Sequence, residues 1–350
     1  MLTRLTLGDV ERVRLILRGG TVIDWRRMNV SSINYCNELL RVNGFDPEDE
    51  RDAARLSDIR RKAVDYLELN FGFTFVADIA NAPRISDLML HAAGHDPVLQ
   101  PQACMVLKLM HIINHIEASE LRSILPISDQ ALFQMVEKKA TRVAQDMKDH
   151  GYPIVEFEIN RKPLDSLITK IIRKRQTIRA PIFDRVRLRV VTASVDDIVP
   201  VVSYMSKHLF PFNYTVPGES HNSIFDFPAF TRLHPNIEAM VPKFQVDLKF
   251  ENEMRPPINT NTSDAFRTVN FVVDIPIRID AKLLRSRSFD PAVLPGTVHV
   301  LTEFQIVDRI SHARNESGEA SHEKYEARRL AKIRERLLHG RMTWHGRDSM

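Results

Sequence analysis

The periodicity of this sequence changes near residue 151, and that change limits the folds open to it. Before it, apolar residues recur at helical spacing. Val10, Val13, Leu15 and Leu17 precede a Gly19-Gly20 stop, and Ser31 and Ser32 can cap a segment through Leu40. The run 46–69 opens on the acids DPEDE, which favour the positive end of a helix. Residues 100–122 carry Met105, Leu107, Met110 and Ile113 on one stripe, and Ser128 caps a run that Gly151 ends near His150. After 151 the period falls to two. Val155, Phe157 and Ile159 alternate with Glu156 and Glu158, and Val186, Leu188 and Val190 alternate with Arg185, Arg187 and Arg189. Alternation of this kind predicts strands with one buried face. Further strands are expected at 243–250, 268–279 and 297–306, a helix from Ser194 to about Leu209, irregular chain at 211–230, and a final polar helix over about 315–338. Helices first, then mixed strands and helices, place the chain in the α+β class. The expected organisation is a helical domain at 1–150, a second domain at 151–338 and a flexible tail at 339–350.

Composition narrows the function classes without selecting one. The chain has 350 residues, enough for two cores, and its 43% hydrophobic and 27% charged residues are ordinary for a globular protein. A net charge of +4 permits a phosphate-bearing partner and does not demand one. The two cysteines, Cys36 and Cys104, are far apart and form no metal-ligand spacing, which fits a reducing compartment. No apolar run approaches the roughly 20 residues needed to span a bilayer, and charges interrupt the N-terminal apolar pattern. A cytoplasmic protein with no membrane partner is the default expectation.

The stretch 161–189, RKPLDSLITKIIRKRQTIRAPIFDRVRLR, carries the strongest chemical signal. Lys162, Lys170, Arg173, Lys174 and Arg175 gather positive charge over a few helical turns, and Asp184 opens the strand that follows. Such cations can neutralise phosphate oxygens while the carboxylate holds a hard metal ion. The same residues also describe a solvated amphipathic helix beside an ordinary strand. A second stretch, 302–326, places Leu301, Glu303, Gln305 and Val307 on one strand face and Val300, Phe304 and Ile306 on the other. A glutamate and a glutamine at mid-strand suit a face that lines a site, or one exposed to solvent. His111 and His115, four apart on a helix, have zinc-ligand spacing. Glu117 points off that face, and Ala118 and Ser119 supply no strong ligand. With no HExxH pattern, the pair is read as a helix face that happens to carry two histidines, and His91–His95 is weaker still. GxxxxGK[ST], GxGxxG and GxSxG motifs are absent.

Together the two stretches resemble the synthetase domain of the RelA/SpoT family, which transfers pyrophosphate from ATP to the 3′-hydroxyl of GDP or GTP. The products are the alarmones ppGpp and pppGpp of the stringent response. The family's first motif resembles GRxKxxxSIxxKxxR, and Lys162, Ser166, Lys170 and Arg173 fall at its steps. Asp184 and Arg189 match the DxxGxR that follows. The second motif is an ExQIRT strand with ExGxxxHxxYK behind it, and Glu303, Gln305, Ile306, Glu316, Gly318, His322 and Tyr325 match in register. The resemblance covers about 150–330. It implies a mixed sheet flanked by helices, the RelA/SpoT synthetase (nucleotidyltransferase-like) fold. It also implies Mg²⁺ held by Asp184 and Glu303, which are the catalytic pair, with Glu303 the alternative proton acceptor. ATP would be bound through Lys162, Ser166, Lys170, Arg173, Lys174 and Arg189, with Gln305 and His322 in supporting positions. The acceptor would be a nucleotide or an RNA 3′ end; DNA is not expected. The helical half would serve a protein partner or a second copy of the chain.

Departures from the family pattern are specific. Asn160 stands where the first motif opens on arginine, although Arg161 is adjacent and a candidate substitute. Arg187 replaces the glycine of DxxGxR, and Val307 and Asp308 replace the arginine and threonine after ExQI. The GYxSxH loop, whose tyrosine stacks on the acceptor guanine in the family, falls on GESHNSIF, with Tyr214 earlier in the chain. An insertion lies around 228–275, and 1–150 shows no metal pattern of the family's alarmone hydrolase domain.

Overall fold

The computed structural model describes residues 5–19, 30, 32–161, 165, 168, 186–234, 266–280, 296–317 and 334. The helical half begins with α1 (Leu7–Arg18). Thr6 and Asp9 close a reciprocal capping box at its start, and Gly19 ends it at φ 63°. There follow α2 (Ile33–Val42), α3 (Glu50–Phe71), the short α4 (Ala77–Ala80), α5 (Ile85–Ala93), α6 (Leu99–Ile124) and α7 (Asp129–Asp149). The expected caps are in place: the Ser32 side chain accepts from the Tyr35 amide, Asp49 from Arg51 and Ser128 from Ala131. The long helix α6 buries Ala103, Val106, Leu107, Met110, Asn114, Ala118 and Leu121, one stripe at the helical period.

Five strands follow: β1 (Ile154–Arg161), β2 (Val186–Thr192), β3 (His221–Asn222), β4 (Val269–Arg278) and β5 (Thr297–Asp308). They form one sheet in the order β1-β2-β5-β4-β3. The pair β2–β5 is parallel and the other pairings are antiparallel, so the sheet is mixed and the α+β class holds. The helix α8 (Ile198–His208) packs against β5. It follows a turn of 3₁₀ helix that Ser194 and Asp197 cap reciprocally, as the sequence predicts. Leu188, Val190, Phe271, Val273, Phe304 and Ile306 form the fully buried side of the sheet. There Phe271 and Phe304 stack with centroids 5.0 Å apart and Phe210 packs on both. The apolar residues of the helical half and of the sheet belong to a single buried cluster. No helix among the described residues is long and apolar enough to cross a membrane.

Two details differ from expectation. The irregular stretch 211–230 contains β3, which pairs with the end of β4, and the start of a short helix α9 (Phe227–Leu233). Asp226 accepts from the Ala229 amide at 2.9 Å, a local cap that periodicity does not reveal. A helix not expected from the sequence, α10 (Arg309–Glu316), starts directly after β5 and ends at an extended Ser317, while the expected helix over 315–338 lies, apart from 315–317 and 334, outside the described residues. The cap of α10 is Asp308, which accepts from the amides of Ile310 and Ser311 at 2.9 and 3.1 Å. The expected strand 243–250, the basic helix 163–175 apart from 165 and 168, and the tail lie outside the described residues.

Candidate active site

Strand parity decides which candidates can meet. In the parallel pair β2–β5, Arg187 lies opposite Glu303 and Arg189 opposite Gln305. Across β1, Asn160 pairs with Arg187 and Glu158 with Arg189. Across β4, Val272 pairs with Glu303, Asp274 with Leu301 and Pro276 with His299. Side chains of directly opposed residues share a face. One face of the sheet therefore carries Glu158, Asn160, Arg187, Arg189, His299, Glu303, Gln305 and Asp274, while the other is the apolar core. The polar face of β5 read from the sequence is correctly placed, and β2 and β5 are neighbours, as a shared site requires.

The polar face is internally paired. The Arg187 guanidinium donates from Nε to Glu303 Oε2 at 3.1 Å, and its Nη2 lies 3.0 Å from the same oxygen. The Glu303 side chain is 17% exposed, so this pair is only partly screened by water. Arg189 donates from Nε to Gln305 Oε1 at 2.9 Å, and its Nη1 lies 3.4 Å from Glu316 Oε1 and 4.0 Å from Glu158 Oε2. Two adjacent guanidinium groups thus stand in front of a carboxylate and an amide. That arrangement recognises phosphate oxygens if the arginines exchange partners.

Of the sequence candidates, Arg189, Glu303 and Gln305 are brought together. Arg161 is not. It opposes Val186 and so falls on the other face, where its guanidinium donates to both carboxylate oxygens of Glu137 on α7 at 2.8 and 2.5 Å. Lys162, Ser166, Lys170, Arg173, Lys174, Asp184, His322 and Tyr325 lie outside the described residues. Magnesium requires oxygen ligands, usually one or two carboxylates completed by substrate phosphates. Glu303 offers a carboxylate of that kind, and Asp184 lies outside the described residues. Tyr214, the nearest tyrosine to the altered loop, is buried. Its hydroxyl accepts from Asn114 Nδ2 at 3.0 Å, and burial raises its pKa. It is held inside the protein and does not serve as a stacking platform.

A second group of polar residues was missed by sequence reasoning. The His111 and His115 rings face Tyr214, which in turn lies 4.4 Å, centroid to centroid, from His299. His115 Nε2 is 3.7 Å from Asp274 Oδ2. Glu117 does point elsewhere, to Arg55 and to Lys62 Nζ at 2.9 Å. The partners of His115 come instead from β4 and β5, more than 150 residues later in the chain. Burial pushes the His299 pKa down to about 3, with His115 and His111 adding to the shift, and burial pushes Asp274 up to about 7. The available signal was an aspartate and a histidine on the same faces of β4 and β5 as Glu303. Those positions become informative only once the strands are paired.

No family model matches the chain, and no curated protein does. Among solved structures, it is similar to small alarmone synthetase 1 from Bacillus subtilis at 16% identity and TM-score 0.30, covering 58% of this chain and 85% of that one. Small alarmone synthetase 2 from the same organism matches at 14% identity and TM-score 0.30, over 60% of this chain and 96% of the other. A GTP pyrophosphokinase family protein from Streptococcus pneumoniae matches at 17% identity and TM-score 0.30, over 58% and 83%. At such identity and TM-score, what this site can do has to rest on its own residues.

Proposed function

We propose that the chain is a divergent RelA/SpoT-like nucleotide pyrophosphokinase. It would transfer pyrophosphate from ATP to the 3′-hydroxyl of a guanine nucleotide or a related acceptor, including an RNA 3′ end. The observation that carries this reading is the placement of Arg189, Glu303 and Gln305, three matches to two separate motifs, side by side on one sheet face. In the reaction the acceptor 3′-oxygen attacks the β-phosphorus of ATP. The bond from that phosphorus to the α–β bridging oxygen breaks, and AMP leaves with the oxygen. Little covalent help is needed; in-line positioning and charge neutralisation are. Arg189, with the basic run 162–175, would hold the polyphosphate. Glu303 would accept the hydroxyl proton or, with Asp184, hold Mg²⁺, which supplies charge neutralisation at the phosphate oxygens.

Arg187 favours a second reading. Its guanidinium occupies Glu303 Oε2, where the family pattern has glycine. A catalytically inactive domain that binds nucleotide or a protein partner as a regulator would keep such a pair closed. A transfer assay separates the two. With γ-labelled ATP and Mg²⁺, and GDP, GTP, AMP, ADP, ATP or bulk tRNA offered singly, label should move to one acceptor. Glu303→Gln should lower the rate by about 10²–10⁴-fold, the usual scale for removing an acid–base group. Nucleotide binding without any transfer would leave the regulatory reading standing.

A further inference from the structure

We infer that His115 on α6, Asp274 on β4 and His299 on β5 form a binding site for one divalent transition-metal ion of the Zn²⁺ class, fastening the helix to the sheet. Each of the three offers a ligand atom, and these atoms lie within 4.8 Å of one another. Asp274 and His299 are diagonal neighbours on one face of the β4–β5 pair, because Asp274 opposes Leu301 and His299 opposes Pro276. His115 closes the triangle from the helix, its ring 5.1 Å from that of His299.

Each of the three residues also carries a buried polar atom without a hydrogen-bond partner. Asp274 Oδ1, His115 Nδ1 and both ring nitrogens of His299 are buried, with no hydrogen-bond partner among the described residues. Buried polar groups left in this state are rare, because each forfeits its hydration. A single cation would take one ligand atom from each residue, two imidazole nitrogens and one carboxylate oxygen. Ligation at 2.0–2.2 Å in a tetrahedron sets ligand–ligand separations of about 3.3 Å. The observed 3.7 Å between His115 Nε2 and Asp274 Oδ2 is within a small side-chain adjustment of that. Two neutral imidazoles select against Mg²⁺ and Ca²⁺, which take oxygen ligands.

The surroundings are built to hold the ligands in place. Tyr214 packs between the rings of His111 and His299, and Asn114 fixes its hydroxyl. Asn213 contacts His111 Nδ1 at 3.2 Å and donates to Asn43 Oδ1 at 2.9 Å. Along β5, His299 lies four residues from Glu303, about 13 Å at the rise of an extended strand. The site is therefore separate from the proposed transfer centre and does not depend on it.

Chelator-stripped full-length protein should bind one equivalent of Co²⁺ with visible d–d absorption of a tetrahedral N/O site, and Zn²⁺ should displace it. Asp274→Asn and His299→Ala should abolish the absorption, whereas His111→Ala should retain it. His115 is 41% exposed, so His115→Ala is the variant that keeps its fold; it too should lose Co²⁺. Zn²⁺ should raise the melting temperature of the wild type by several degrees and leave His115→Ala unchanged. Absence of Co²⁺ absorption in folded wild-type protein, or its survival in both Asp274→Asn and His115→Ala, would overturn the site. The readouts are spectroscopic and thermal, so a failure of transferase activity leaves them intact.

Discussion

At the scale of single residues, the Glu303 carboxylate on β5 is held by a guanidinium from the neighbouring strand β2. Arg187 reads as a large residue at a position the family keeps small; the structure turns it into the group that occupies the Glu303 carboxylate. A partly exposed ion pair is worth about 0.2–1 kcal/mol. On the proposed pyrophosphokinase reading, Arg187→Gly should therefore lower the Mg²⁺ concentration needed for half-maximal ATP binding, by up to about fivefold. An unchanged or higher requirement would show that Arg187 does not compete with the cation. The histidines teach a related lesson. On its own helix His115 has His111 at four-residue spacing and no further ligand. Its neighbours Asp274 and His299 lie more than 150 residues later in the chain, so the cluster exists only in the paired sheet.

At the scale of elements, α1 shows how buried charge can fix one helix on another. Arg12 is fully buried and contacts Asp9, Tyr35 and Ser206; Lys207 on α8 lies 2.6 Å from Asp9 Oδ1. Burial alone would raise the Asp9 pKa, but the hydrogen bond and charge of Lys207, with the Thr6 amide and Arg12, hold it below the usual value. A carboxylate with a depressed folded-state pKa contributes stability that is complete above the unfolded value of about 3.9. That contribution is lost as pH falls through the lower folded-state value. Asp9→Asn should cost about 3–5 kcal/mol near pH 7, because Arg12 and Lys207 keep their charge without a counter-ion. The deficit relative to wild type should shrink below about pH 4. Denaturant melts of both proteins at pH 7 and pH 3 check this, and a pH-independent difference would mean the loss is one of packing. Caps and stops such as Gly19, Ser32 and Ser128 were legible in the sequence because they act within one turn. The Asp9–Lys207 contact was not, because it joins residues nearly 200 apart.

Across the whole molecule, the change of period at 151 marks a change of element type, while the packing runs straight through it. Residues from α1 to β5 share one buried cluster. Polar contacts cross the same boundary: the Gly218 amide donates to Gly19 O at 2.9 Å, Ser220 Oγ to Ile16 O at 2.8 Å, and Arg278 Nη1 to Asp52 Oδ2 at 2.5 Å. An added Cβ at Gly19 would meet Ser220 Cβ at 2.8 Å, so the end of α1 and the 218–220 loop are fitted to each other. Units that share a core unfold together, because exposing one half uncovers apolar surface on the other. The full chain should therefore show a single calorimetric transition. Leu121→Ala, a truncation of a fully buried side chain on α6, costs about 2–5 kcal/mol by loss of packing. It should move that whole transition to lower temperature as one peak. If only part of the heat absorption moved and a second peak stayed at the wild-type temperature, the helical half and the sheet would be independent folding units, despite the core they share.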